Sequence, residues 1–261
     1  MSAAYLVLPR LRHGAFAVWR RNVLVWRKLM VPSLLFNLGE PFLYLLGLGY
    51  GLGLFIGDTM QMPYLTFLAS GILASSAMNT ASFEAMYSVY TRMVPQRTYD
   101  AILATPLEVQ DVLAGEALWA ATKCVISGAG ILLVAALLGG VHGWPALWVI
   151  PVLFVVGVAF ACLGLIMSSM ANGYDYFSYY MTLVVTPMFV LSGVFYPVSA
   201  LPGVLQSIVQ VLPLYHAVEL VRPLVAGRVP DQIGLHLSVL VLYAVPAFLI
   251  AVRFARRRLV V

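Results

Sequence analysis

Three ionisable side chains, Glu40, Glu84 and Lys123, stand in stretches that are otherwise apolar. A charge in such surroundings is costly, so it pairs with an opposite charge, faces a cavity, or handles an ion or a proton. Lys123 can snorkel toward a polar boundary, pair with Glu40 or Glu84, or touch an anionic substrate. Between two apolar runs lies a polar break, 91–116, with the sequence TRMVPQRTYDAILATPLEVQDVLAGE. It holds Arg92, Arg97, Asp100, Glu108, Asp111 and Glu116, in a chain with 15 basic and 10 acidic residues in all. Unpaired polar groups do not sit in hydrocarbon, so this break is expected to stand in water. Residues 99–104 favour helix, with Thr98 or Asp100 available as a cap and Pro106 as a stop. The segment reads as a short helix across the mouth of two membrane spans, with Tyr99, Ile102 and Leu103 as apolar knobs.

Several chemistries are missing. There is no GxxxxGK[ST] phosphate loop; the two lysines, Lys28 and Lys123, do not follow glycine. The four histidines are scattered and form no HExxH run. Cys124 and Cys162 lie in apolar stretches and read as small packing residues, neither a disulfide nor a metal site. There is no Gly-x-Ser-x-Gly elbow, and no catalytic cluster can be assembled. The net charge of +5 gathers at membrane ends and does not point to nucleic acid. Two function classes remain: the membrane subunit of an ATP-driven exporter, and a stand-alone secondary carrier or channel. The scarcity of intramembrane ionisable groups argues against a proton relay and so against the second.

The elements that must position these residues follow from composition. Of the 261 residues 62% are hydrophobic and 10% charged, with mean hydropathy +0.95. Soluble domains carry about 25% charged residues, and the segments are apolar all round rather than alternating. The expected fold is an all-α integral membrane protein. Six spans are predicted at about 32–56, 63–90, 112–138, 146–170, 176–195 and 234–252. They follow a first segment, 1–30, and make up one permease domain, 31–261. No cleavable leader is expected.

That first segment carries Arg10, Arg12, Arg20, Arg21, Arg27 and Lys28, with apolar residues at helical spacing, and reads as an amphipathic helix in the headgroup plane. Span one has Glu40 about 13 Å along its helix. It also has glycines at 47, 49, 51 and 53 whose spacing permits close helix approach. Tyrosines 174, 176, 179 and 180 read as an aromatic belt. Segment 196–233 is too apolar for a loop, yet prolines at 197, 202, 213, 223 and 230 forbid one long helix. Two short helices, 203–212 and 214–224, dipping into the outer leaflet, would fit. Basic residues at both termini and in the central break, against Arg222 and Arg228 on the outer side, place both termini in the cytoplasm.

Two stretches resemble a known family. The first runs from Ser82-Phe83-Glu84-Ala85 through Arg92-Met93 to 99–106 (YDAILATP) and Gly115-Glu116-Ala117-Leu118-Trp119. The second is 191–197 (LSGVFYP), Leu201-Pro202 and 212–222 (LPLYHAVELVR). Together they are similar to ABC type 2 exporter permeases, in the nodulation protein J-like branch, which exports lipo-oligosaccharides. The similarity extends from Glu40-Pro41 to the Arg-rich tail.

The resemblance implies a non-catalytic half-transporter of the bacterial inner membrane. Two copies pair, and each binds one cytosolic ABC ATPase. No cofactor is implied on this chain, since ATP and Mg would sit on the ATPase. The cargo implied is an amphipathic molecule: glycolipid, lipo-oligosaccharide, polysaccharide or drug. The ATPase-coupling residues would be Tyr99, Asp100, Ile102, Leu103, Pro106 and Glu116, with Arg92 and Arg97 at the rim. Pro197, Pro202, Pro213, His216, Glu219 and Arg222 would belong to extracytoplasmic re-entrant helices.

Overall fold

A computed structural model describes residues 13–53 and 62–259, and every regular element among them is helical. Helix α1 is His13–Arg27. Helix α2, Met30–Tyr44, runs on into a π-turn, Leu45–Tyr50. Helix α3 joins Tyr64–Phe83, a π-turn at Glu84–Ser88, and Val89–Met93. The short α4 is Thr98–Leu103, and α5 is Val109–Leu137. A 3-10 turn, Trp144–Trp148, leads into α6, Val149–Met170. Helix α7 joins Asp175–Tyr180, a π-turn at Met181–Val185, and Thr186–Leu191. Then come α8, Gly203–Val209, α9, Pro213–Val225, and α10, Ile233–Leu259. Arg10, Arg12 and most of the turn expected at 58–62 lie outside the described residues.

By length and apolar composition α5, the 144–170 run and α10 can each cross a membrane, and the bent pair α8–α9 passes the same test jointly. Helix α6 is the hub, packing on α3, α5 and α10. Small residues set these approaches. A Cβ on Gly157 would stand 2.8 Å from Ala121 Cα on α5, and one on Gly164 2.8 Å from Ala85 Cβ on α3. Without a hydrophobic force between helices in lipid, such close van der Waals packing is what holds them.

Helix α5 starts three residues earlier than the sequence suggests, at a capping box in which Glu108 and Asp111 satisfy each other's backbone N–H groups. Helix α4 begins after Arg97, whose backbone is left-handed (φ 48°); neither Thr98 nor Asp100 caps it. The 87° bend between α8 and α9 falls at 210–212, with Pro213 opening α9. Pro223 does not end α9; it lies inside the last turn. Prolines tolerate helix starts because the missing N–H has no partner there anyway.

Polar contacts fix both ends of the bundle. Arg256 Nη2 donates to Gln110 Oε1 at 2.6 Å, and Arg258 Nη1 to Ala171 O at 2.5 Å, just past the C-terminus of α6. These contacts put the end of α10 beside the start of α5 and the end of α6. At the opposite end His142 N donates to Val225 O at 2.9 Å, bringing the turn before α6 to the end of α9.

Candidate functional site

The polar break folds inward. Glu116 stands at the second turn of α5 and is 1% exposed, so the expectation that it faces water fails. On one face of α5, Glu116, Trp119 and Lys123 follow at i, i+3 and i+7. On α3, Glu84, Ser88 and Arg92 follow at steps of four across the π-turn. The two rows meet. Lys123 Nζ lies 2.9 Å from Glu84 Oε2, and Arg92 Nη2 lies 3.1 Å from Glu84 Oε1 and 2.7 Å from Glu116 Oε2. Trp119 Nε1 donates to Glu84 Oε1 at 3.0 Å and Ser88 Oγ to Oε2 at 3.0 Å, so this carboxylate receives four donors.

Glu116 is satisfied by other elements. Tyr99 OH, from α4, donates to its Oε1 at 3.0 Å, and Asn22 Nδ2, from α1, to its Oε2 at 2.8 Å. Next to it Trp19 Nε1 donates to Thr122 Oγ1 at 2.9 Å, and Trp26 meets Trp119 edge-on at 5.8 Å between centroids. Helix α1 can come this close because residue 115 is glycine, where a Cβ would lie 2.6 Å from Ala15 O. The apolar row predicted for α1 therefore covers α5, while Phe16, Leu24 and Val25 remain exposed on its outer side.

Two acids and two bases thus make a buried quartet carrying no net charge. A buried charge persists when paired and hydrogen-bonded on every side. Burial alone would lower the pKa of the Arg92 guanidinium, but Glu116 and Glu84 hold it above its usual value, so Arg92 stays charged. Burial and the neighbouring carboxylate push the Tyr99 phenol well above its usual value, so it serves as a neutral donor.

This geometry corrects three sequence expectations. Tyr99 is not an exposed knob: it is 0% exposed, because its hydroxyl must reach Glu116. Ile102 and Leu103 are half-buried against the chain's own core. Arg92 is not a rim residue but joins two helices. What α4 turns outward is Asp100 and Ala101, continued by Ala104, Thr105 and Pro106, with Arg97 exposed just before it. Lys123 takes the ion-pair option with Glu84. The side chain of Glu40 lies outside the described residues, although its backbone belongs to α2.

In the second predicted region Pro197 and Pro202 precede the short turn Val198–Ala200 and α8 as N-caps, and Pro213 opens α9. Arg222 is not a water-facing turn charge. Its Nη2 donates to Gly193 O at 2.5 Å and its Nε to Ser70 Oγ at 3.2 Å, while its guanidinium lies 3.8 Å over the Phe67 ring. It ties α9 to α3 and to the turn after α7. His216 faces His236 of α10, and Glu219 shares its side of α9.

Sequence reasoning missed Asn22 and Trp119. Asn22 falls in step with Ala15 and Val18, and Trp119 lies between Glu116 and Lys123 on one helix face, so helical spacing carried the signal for both. Among the tyrosines, Tyr174, Tyr176 and Tyr179 are all exposed, and Tyr174 also packs with Tyr87, Tyr90 and Phe177.

Comparison with known proteins covers both regions. The profile of the ABC-2 type transporter family matches residues 14–225. Nodulation protein J of Rhizobium leguminosarum bv. viciae is 46% identical over 243 residues, which is 93% of this chain and 94% of that protein. Nodulation protein J of Rhizobium meliloti (strain 1021) is 44% identical over 252 residues, 97% and 96% of the two chains. Inner membrane transport permease YadH of Escherichia coli (strain K12) is 25% identical over 238 residues, 90% and 91%. With the quartet and the bent pair both inside the matched region, the chain belongs to the ABC-2 type transporter family, as a membrane transport subunit whose ATP hydrolysis lies on a partner chain.

Proposed function

We propose that this chain is the permease of an ATP-binding-cassette exporter that moves an amphipathic molecule out of the cytoplasm or the inner leaflet. The cargo class is glycolipid, lipo-oligosaccharide, polysaccharide or drug, with lipo-oligosaccharide favoured by the kinship with nodulation protein J. In this reading six spans cross the bacterial inner membrane with both termini in the cytoplasm. Two copies pair, each seated on one ATPase subunit that holds ATP and Mg. Helix α1 lies at the interface with its outer apolar side in lipid, and α8–α9 form the re-entrant pair.

The observation that carries the reading is the quartet. It fastens the short helix α4 to α3, α5 and α1 through buried ion pairs and hydrogen bonds, so a push on α4 would reach three long elements directly. A stand-alone carrier is disfavoured by the same geometry, since Glu84 and Lys123 are spent on each other and on neighbours and cannot cycle protons. The ATPase would meet the outward side of α4: Arg97, Asp100, Ala101 and Ala104.

The test is co-purification with the partner ATPase. Ala101→Trp with Ala104→Trp fills the outward side without touching the quartet. The permease should still insert while ATPase recovery and cargo-stimulated ATP hydrolysis fall. Full recovery of the complex with normal transport would move the contact elsewhere, first to residues 13–28.

A further inference from the structure

At the end of the bundle far from α4, a cavity of about 790 Å³ opens between α9 and α10. Its polar wall contains Glu219, Asp231 and the pair His216 and His236. The histidines are 5% and 8% exposed, and their Nδ1 atoms lie 2.8 Å apart. Hydrogen bonding fixes the neutral tautomers. His216 Nε2 is 2.9 Å from Gln210 O, and a carbonyl only accepts, so Nε2 carries the proton. His216 Nδ1 must then accept, and His236 Nδ1 must donate to it. That leaves His236 Nε2, which has no partner among the described residues, as a bare lone pair beside the cavity.

The two carboxylates have the same character. Glu219 and Asp231 make no hydrogen bond or ion pair among the described residues, and no lysine or arginine lines the cavity. Arg222, three residues after Glu219, is hydrogen-bonded to Ser70 and Gly193 and interacts with Glu219 through its charge from outside the cavity lining. Tyr243 OH gives its proton to Val211 O at 3.0 Å. The cavity thus offers on this wall two carboxylates and a histidine lone pair as acceptors, beside Gln210, Tyr215 and Gln232, whose side chains can also donate. Its other wall is apolar: Leu235, Val239 and Leu242 follow one another along α10, and Leu242 is 68% exposed on the outside of the bundle.

We propose that this cavity binds the head of an ammonium-bearing amphiphile. The cation sits between Glu219 and Asp231, an N–H donates to His236 Nε2, and the acyl chain lies along Leu235, Val239 and Leu242. A neutral head would leave Asp231 without a counter-charge in the cavity, and an anionic head would meet two carboxylates. The occupant is either a resident aminolipid or the transported molecule.

The test uses the full-length chain in phosphatidylcholine nanodiscs at about pH 8, where a primary ammonium remains charged and histidine is neutral. The probe is a long-chain primary alkylamine with a diazirine in its chain, compared with the alcohol of the same chain. Labelled peptides are read by mass spectrometry. The amine should label the peptide bearing residues 235–243 about tenfold more than the alcohol does, the ratio expected of an advantage of about 1.4 kcal/mol. Glu219→Gln with Asp231→Asn should bring amine labelling down to the alcohol level. Val239→Trp, which fills the cavity and leaves its charge alone, should abolish labelling by both.

Equal labelling by amine and alcohol, no labelling of that peptide, or undiminished labelling in the double variant overturns the proposal. Competition by phosphatidylethanolamine assigns the site to a bilayer lipid, and lack of competition assigns it to a transported molecule. Binding is read without ATPase or turnover, so the result stands apart from the transport reading.

Discussion

Tyr99 and Glu116 meet at 3.0 Å, a phenol from the shortest helix of the polar break donating to a carboxylate that the long helix after it keeps 1% exposed. The bond spans 17 residues of chain and is the polar link that fastens α4 to the quartet. Removing the hydroxyl leaves Glu116 Oε1 without its donor, and an unsatisfied buried acceptor costs about 1–3 kcal/mol. Tyr99→Phe should therefore lower the unfolding temperature of the purified permease and loosen the coupling of ATP hydrolysis to transport. Tyr99→Ala should do more, since deleting a buried ring costs about 3–5 kcal/mol. Unchanged stability and coupling in both variants would remove α4 from the transmission path.

The Glu84–Lys123 pair gives a sharper test, because breaking a buried pair differs from removing it. Glu84→Gln strands Lys123 and leaves Arg92 with Glu116 alone, and a loss of about 3–5 kcal/mol is expected. Glu84→Gln with Lys123→Gln should recover a large part of that loss. Thermal unfolding of the single and double variants in detergent measures the coupling. Simple additivity would show that the two groups do not interact.

Gly115 controls the seating of α1. A Cβ there would stand 2.6 Å from both Ala15 O and Val18 Cβ. Gly115→Leu should lift α1 off α5 and break the Asn22–Glu116 bond. Trypsin should then cut at Arg20, Arg21 or Arg27 at least about tenfold faster than in the native chain, the change that a 1.4 kcal/mol shift in local opening produces. An unchanged cleavage pattern would mean that α1 accommodates the side chain by sliding.

Topology follows from the four tail arginines, two of which hold the ends of α5 and α6. A reporter active only in the periplasm, fused to the C-terminus, should stay silent. Activity in that fusion would overturn the six-span reading with both termini in the cytoplasm.

How far the sequence alone reaches depends on the distance over which each feature is decided. Spans, the bend before α9 and the family resemblance rest on local composition and on prolines whose effect is local. Glu84 and Lys123 stand out because a charge is rare in an apolar run, and scarcity alone suggests that they pair. Tyr99 is different. Nothing within ten residues of it says that its ring turns inward; that depends on Glu116, which in turn depends on the early capping box of Glu108 and Asp111. The same holds for Arg222, whose socket of Phe67, Ser70 and Gly193 is assembled from two distant segments.

The balance of charge in the quartet bears on electrical work. A segment that moved one unpaired charge through the whole membrane potential would do or demand about 2.3 kcal/mol per 100 mV. Glu84, Arg92, Glu116 and Lys123 are joined as two basic and two acidic groups. With all four ionised, a displacement of the quartet as one body carries no net gating charge.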